Sequence, residues 1–165
     1  MPKEIIEKNR WNTISKDVIN GNTYVTFESA PAVVVLLYGR NNTVWLMPQQ
    51  REESGNRLYL KTVGGYLKEE ETPADGAARN LLEKVGVKIS DLHRVGRVSG
   101  YGDAIKVPIS PFVCLENEWE HSPAAKAKNE LVQFSREKVL TLLESDSIYD
   151  DATRIQLLQW LANMR

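Results

Sequence analysis

The residues of this chain that could do chemistry are concentrated between positions 65 and 87, in the stretch GYLKEEETPADGAARNLLEKVGV. Because positions i, i+3 and i+4 of a helix share one face, Asn80, Glu83 and Lys84 are expected to point in the same direction. Carboxylates on such a face would bind a hard cation such as Mg²⁺ or Mn²⁺, which neutralises phosphate charge and activates water. In this chain the face combines one carboxylate with an amide and an ammonium.

The same stretch resembles the Nudix box, whose pattern reads G-x5-E-x7-R-E-U-x-E-E-x-G-U, where U is a bulky apolar residue. The positions that match in register are Gly65, Glu71, Arg79, Leu81, Glu83, Gly86 and Val87. Asn80 and Lys84 replace two of the carboxylates in the pattern. A match of this length with glycine at both ends is a specific signal, much stronger than a lone glycine-rich loop.

The resemblance continues outside the box, toward the ADP-ribose pyrophosphatases of the Nudix family. Residues 27–55 look like the strand pair that leads to the box there, and Arg51 would match the end of that subfamily's RQYR-like stretch. Residues 130–161 resemble its C-terminal strand and helices. The likeness implies an α/β (α+β) architecture, the Nudix fold, in which a mixed β-sheet is sandwiched between α-helices.

The resemblance implies hydrolysis of a nucleoside diphosphate linked to another group, with Mg²⁺ or Mn²⁺ as the cofactor. The metal would be held by Glu83 and Asn80, helped by the carbonyl of Gly64 or Gly65. Glu83 could equally be an ordinary charge on the helix surface. The candidate catalytic residues are Glu83, Glu70 and Asp103.

The substrate would be bound by cations at its phosphates and by an aromatic ring at its base. The candidates are Arg51, Arg79, Lys84 and Tyr101. The structural positions of the motif are Gly65, Glu71, Arg79 and Gly86. Glu71 and Arg79 would form an ion pair that supports the loop, and the alternative is a solvated surface pair of little energetic worth.

Other positions also depart from the family pattern. The loop after the box often carries a catalytic glutamate in a stretch similar to GYSDE, but here it reads GYGDAI, with Asp103 kept and Ala104 at the glutamate position. Lys68 and Glu70 stand where the subfamily tends to have Glu and Gly. Acidic residues of these loops could serve as replacement ligands, although such residues are usually just solvated.

The replacement of two carboxylates by an amide and an ammonium determines how strongly this helix face can bind a metal ion. At ~4 Å and an effective dielectric of ~20, one unit pair is worth roughly 4 kcal/mol, so a lysine beside a divalent ion lowers metal affinity by orders of magnitude. The sequence therefore predicts a Nudix-type protein whose hydrolysis is weak or lost. The alternative is an inactive pseudoenzyme that binds a nucleotide or a protein partner. Lys84 could itself hold a diphosphate without metal, or lie idle on the surface.

The helix that positions these side chains is predicted at residues 73–85. Thr72 is a suitable N-cap before Pro73, and Gly86 can end the helix in the left-handed conformation. Helical spacing predicts a buried stripe of Ala74, Ala77, Ala78, Leu81 and Val85.

Strands are predicted on both sides of this helix, in TYVTFES, AVVVLLY, TVWLMPQ and RLYLKTV before it and in HRVGRVSGYG, IKVPISPFVCLEN and ELVQF after it. Two helices end the chain. The first begins after Ser135, with Val139, Leu142 and Leu143 inward. The second begins near Asp150 or Asp151, with Ile155, Leu158 and Leu161 inward.

Length and composition indicate one domain over residues 1–165, since 165 residues with 42% hydrophobic content suit a single core. Residues 1–30 would contribute N-terminal strands, after a polar lead-in at 1–10, and the resemblance implies that they pair two copies into a homodimer.

With 21 basic and 22 acidic residues, no broad surface for nucleic acid is expected. The longest apolar run is too short to span a bilayer, so a cytoplasmic protein is the default. Cys114 is expected to be a buried hydrophobe.

Overall fold

The N-terminal part of the chain forms a small sheet of its own. In the computed structural model, which describes residues 3–51, 55, 57–96, 104–123, 125–148 and 150–163, its strand order is β1-β2-β3-β10. The strands are β1 (Glu4–Lys8), β2 (Asn12–Ile19), β3 (Asn22–Ser29) and β10 (Ile105–Lys106). Asn20 and Gly21 join β2 to β3 with φ of 52° and 80°, the left-handed pair that a two-residue hairpin favours.

The expected polar lead-in at residues 1–10 is wrong, because residues 4–8 form β1. All five residues of this edge strand are exposed, and it pairs antiparallel with β2 through its backbone. A strand with no buried face needs no alternation of apolar and polar side chains, so its sequence carries no strand pattern.

A larger mixed sheet forms the centre of the molecule, with the order β13-β5-β4-β11-β9, β6 beside β5 and β7 beside β4. Its strands are β4 (Ala32–Gly39), β5 (Thr43–Arg51), β6 (Arg57–Lys61), β7 (Val63–Tyr66), β9 (His93–Arg94), β11 (Ile109–Cys114) and β13 (Val132–Ser135). β11 runs parallel to β4, and the other pairings are antiparallel. A separate two-stranded ribbon consists of β8 (Val87–Ile89) and β12 (Trp119–His121).

The three helices of the described chain cover both faces of the central sheet. They are α1 (Pro73–Val85), α2 (Arg136–Leu143) and α3 (Asp151–Asn163). Alternate residues of β4 belong to two cores: Val35 and Leu37 lie with α1, whereas Leu36 lies with α2 and α3. This arrangement confirms the predicted mixed sheet between helices. No helix of the described segments is both long and apolar enough to traverse a bilayer.

The bounds of α1 are those predicted from its caps. The Thr72 hydroxyl accepts a hydrogen bond from the Asp75 backbone N–H at 3.2 Å, and Gly86 ends the helix at φ 68°. Ala77, Leu81 and Val85 are buried as expected. Ala74 is exposed, and Ala78 is only partly buried. The buried face is shifted toward Gly76 and Asn80, because Gly76 lies against Leu67 and Asn80 lies against Gly65.

The inward face predicted for α3 is wrong at two positions. Ile155 and Leu158 are 36% and 55% exposed, while Leu161 is partly buried. The buried residues of α3 are Ala152, Thr153, Gln156, Leu157 and Trp160. The face of α3 that carries Leu157 and the large Trp160 ring is buried instead.

One residue of the loop between β7 and α1 has a conformation that favours glycine. Glu70 has φ 60°, in the left-handed region. This conformation costs a residue with a side chain about 1–2 kcal/mol, whereas glycine adopts it freely but loses about 0.4–1 kcal/mol through greater freedom of the unfolded chain.

Glu70→Gly is therefore expected to raise the free energy of unfolding by about 0.5–1 kcal/mol in urea titrations. Glu69→Gly is the matched control, because Glu69 is also exposed but has no positive φ. This control is expected to be neutral or destabilising. Equal effects of the two substitutions would contradict the strain assigned to Glu70.

Candidate functional site

The loop between β7 and α1 is held by an ion pair that the motif predicted. Arg79 Nε lies 2.6 Å from Glu71 Oε1, and Arg79 Nη2 lies 2.8 Å from Glu71 Oε2. The same guanidinium donates to the Tyr66 carbonyl, and the Lys68 backbone N–H donates to Glu71 at 2.8 Å. Both charged side chains are mostly buried, so this pair holds the loop in place and is not a solvated surface pair.

These contacts stabilise the charged forms of both groups. The hydrogen bond from Arg79 lowers the pKa of Glu71 to about 2, from an ordinary value of 4.5, with further contributions from the Lys68 backbone N–H and the nearby cations. The pKa of Arg79 is raised, chiefly by its hydrogen bonds to Glu71. The pair is therefore ionised throughout the physiological pH range.

A cleft of about 600 Å³ opens where β7, α1, β4 and the start of α3 meet. Asn80, Glu83 and Lys84 all line it, as their spacing on one helix face predicted. Gly64 and Gly65 of β7 also line this cleft. This cleft is the candidate functional site of the chain.

The ammonium of Lys84 reaches across the cleft to the backbone of β7. Its Nζ donates a close hydrogen bond to the carbonyl oxygen of Gly64. Burial lowers the pKa of Lys84, and the charges of Lys61 and Arg79 lower it further. Lys84 is therefore a partly buried cation in contact with backbone oxygen, not a lysine that lies idle on the surface.

Asn80 lies beside Gly65 and is only 2% exposed. Its Nδ2 donates to the Gly76 carbonyl one turn earlier, at 2.8 Å. A Cβ on Gly65 would clash with Asn80 Oδ1 and lie 3.0 Å from Lys84 Nζ. Glycine at position 65 thus lets the strand come close to both substituted side chains.

Glu83 is the remaining carboxylate on this face, and two cations accompany it. Arg79 Nη1 lies 3.4 Å from Glu83 Oε2, and Lys68 Nζ lies 3.9 Å from Glu83 Oε1. The carboxylate is about half exposed, so both contacts are weak.

The three side chains do not fit a divalent metal ion at the position that the resemblance implies. Together Asn80, Glu83 and Lys84 carry no net charge, whereas the pattern has three carboxylates there. The carbonyl of Gly64 is bonded to an ammonium, and the Asn80 side chain is buried. Mg²⁺ prefers several oxygen ligands with at least one or two carboxylates. The helix face supplies one carboxylate, Glu83, and the side chains of Lys68, Arg79 and Lys84 bring three positive charges near it.

Of the other predicted site residues, Arg79 also lines the cleft. Glu70 lines a neighbouring pocket with Arg10 and Lys68 instead. Arg51 ends β5, and its side chain lies outside the described residues. Tyr101 and Asp103 also lie outside them.

Several residues of the cleft were missed by sequence reasoning. Lys61, Asp150 and Asp151 line it, and Trp11 stacks on Tyr66 at its side with ring centroids 4.9 Å apart. Lys61 ends β6 just before the box, so its position close to the cleft could have been inferred from the sequence. The Asp pair could be recognised only as a helix start, because nothing local places α3 beside the box.

Hydrogen bonds attach the start of α3 to the strand that leads into the box. Asp150 accepts from the Thr153 backbone N–H at 2.8 Å and from its hydroxyl at 2.9 Å. The Thr153 oxygen in turn accepts from the Thr62 backbone N–H at 3.0 Å. Asp150 is thus fixed at the cleft by a buried contact between residues that are 91 positions apart.

Comparison with known proteins agrees with this architecture. Residues 28–161 match the family model of the NUDIX domain. The chain belongs to the NUDIX family. Among solved structures similar to this NUDIX chain is an ADP compounds hydrolase, with 16% identity, a TM-score of 0.74, and coverage of 98% of this chain and 90% of that one. At this identity the likeness shows the fold. No curated protein matches the chain in sequence.

The depressed pKa of Glu71 predicts how the stability of this NUDIX domain depends on pH. Because the folded pKa lies below the unfolded one, the ion pair stabilises the fold above pH 4.5, and this contribution is lost as the pH falls toward 2. After allowance for screening by solvent, the pair is worth on the order of 1–2 kcal/mol. Glu71→Gln should lower the free energy of unfolding by this amount at pH 7 and have little effect near pH 2.

The measurement is urea unfolding of both proteins across that pH range. Glu69→Gln is the control, since Glu69 is exposed and makes no ion pair with Arg79 in the described structure. A loss of stability that stays the same at all pH values would contradict the assigned ion pair.

Proposed function

We propose that this protein binds a nucleoside diphosphate derivative in the cleft beside α1 and hydrolyses it weakly or not at all. One observation carries the proposal: the carbonyl of Gly64 is bonded to the ammonium of Lys84 rather than left for a metal ion. Family membership supports the class of ligand, and the ADP compounds hydrolase of similar fold supports an ADP derivative. The altered helix face supports the loss of turnover.

The cleft has the size and the charges that such a ligand needs. Its volume of about 600 Å³ is within the range of small-molecule sites, roughly 300–1,000 Å³. Lys61 and Lys84 supply positive charge for phosphates, and Asp150 offers carboxylate oxygens to sugar hydroxyls. A ligand with both phosphate and hydroxyl groups would therefore match both kinds of side chain.

The second candidate is a residual hydrolase with Mg²⁺ or Mn²⁺ as cofactor. Glu83 favours it, since this carboxylate keeps its family position and faces the cleft with about half of its surface exposed. In that case Glu83 would be the indispensable residue. We derive no reaction step from it, because the neighbouring side chains do not fit the ion.

The assay that separates the two candidates follows AMP release from ADP-ribose and other nucleoside diphosphate derivatives in millimolar Mg²⁺ or Mn²⁺. The wild-type protein is expected to give little or no release above that of the Glu83→Gln variant, because two of the three carboxylates of the pattern are missing. Strong release that Glu83→Gln abolishes would contradict the proposal and establish a metal-dependent hydrolase.

A second experiment restores the carboxylates of the family pattern and measures metal binding directly. Asn80→Glu combined with Lys84→Glu restores the family pattern and is expected to raise Mn²⁺ affinity at least tenfold in calorimetric titrations, since it adds carboxylates and removes an ammonium. Asp75→Glu with Lys88→Glu is the control, because these exposed positions do not line the cleft. Unchanged Mn²⁺ affinity in the first variant would mean that the helix face is assigned wrongly.

We further propose that the protein works as a cytoplasmic homodimer that pairs through residues 1–30. The support is a group of apolar side chains on the N-terminal sheet that are more than half exposed, among them Ile6 and Val25. Light scattering after size exclusion is expected to give twice the mass of one chain, and Ile6→Asp with Val25→Asp to give one. Leu158→Asp, on exposed α3 surface, is the control. A monomeric wild-type protein would contradict dimerisation.

A further inference from the structure

We infer that Lys84 is a built-in cation of the cleft, which contacts the diphosphate of the ligand directly and makes binding independent of a divalent metal. The inference rests on the proposed function, namely that this cleft binds a nucleoside diphosphate derivative. It extends that proposal by assigning to Lys84 the contact with the phosphates that a metal ion would otherwise make.

The position of the Lys84 ammonium is fixed by backbone on one side. Its Nζ donates to the Gly64 carbonyl, so the charge is held at the edge of β7 instead of moving at the end of a flexible chain. An ammonium has three N–H donors, and this contact uses one of them. The bonds made within the described residues leave the other two for oxygen atoms of a ligand.

Glycine at position 65 provides the space for this arrangement. A Cβ at this position would lie 3.0 Å from Lys84 Nζ, tighter than ordinary van der Waals contact, and closer still to Asn80 Oδ1. A side chain at position 65 would therefore displace both Asn80 and the ammonium from their present positions. The same glycine that opens the family motif here makes room for a lysine.

The electrostatics of the cleft favour an anion beside this ammonium. Burial lowers the pKa of Lys84, and the next cause is the charge of Lys61, which lines the same cleft. Two cations that disfavour each other in a partly buried site both become more stable when a phosphate lies between them. A diphosphate supplies that charge, and no Mg²⁺ is needed to neutralise it.

The ammonium and a metal ion cannot both use the Gly64 carbonyl. A Mg²⁺ ion there would have to displace Lys84 and overcome repulsion from it. Metal is therefore expected to contribute nothing to binding in this cleft, in contrast to the pattern that the motif implies.

The test is calorimetric titration of ADP into the full-length protein, once with EDTA and once with millimolar Mg²⁺. The wild-type protein is expected to bind with the same Kd in both, within about twofold. Lys84→Met is expected to weaken binding in EDTA roughly tenfold or more, because a charge-assisted hydrogen bond to phosphate is lost. Lys84→Arg should keep part of the affinity, and Lys88→Met, at the exposed position of β8, should keep all of it.

Each other outcome contradicts a defined part of the account. Wild-type binding that requires Mg²⁺, or Lys84→Met binding equal to wild type, would overturn the built-in cation and leave the proposed binding function standing. Equilibrium dialysis that shows no ADP, ADP-ribose or other nucleoside diphosphate derivative bound with or without Mg²⁺ would overturn both. If Lys84→Met does not fold, the comparison of wild type in EDTA and Mg²⁺ still decides the question.

Discussion

The contact between the Lys84 ammonium and the Gly64 carbonyl is the interaction on which the character of this site depends. It joins the last turn of α1 to β7 and places an ammonium at the edge of the cleft. The packing of Leu81 and Val85 against the central sheet sets the distance between helix and strand. We propose that this ammonium takes the place of the metal ion that the family pattern implies.

The support of the loop does not depend on the two substituted positions of the helix face. Glu71 and Arg79 form the ion pair that the motif predicts, and Gly86 ends the helix as expected, although Asn80 and Lys84 differ from the pattern. The ion pair and the end of the helix make their contacts without Asn80 or Lys84, although Arg79 also lines the cleft and lies 3.4 Å from Glu83. The scaffold can therefore keep its geometry while the charge of the cleft changes.

The sequence predicted those features that depend on local interactions. The bounds of α1 follow from the caps at Thr72 and Gly86, and the shared face of Asn80, Glu83 and Lys84 follows from the helical period. Features set by contacts between distant segments could not be predicted. The approach of Asp150 to the cleft depends on hydrogen bonds between Thr153 and Thr62, which are 91 positions apart, and no pattern in either segment encodes it.

The most direct test of the account is the position of manganese in crystals of the protein grown or soaked in millimolar MnCl₂. We predict no anomalous peak within bonding distance of the Gly64 carbonyl and Glu83, and electron density for the Lys84 ammonium at that carbonyl. A Mn²⁺ ion bound there, with Lys84 turned away, would contradict the claim that this chain supplies its own cation.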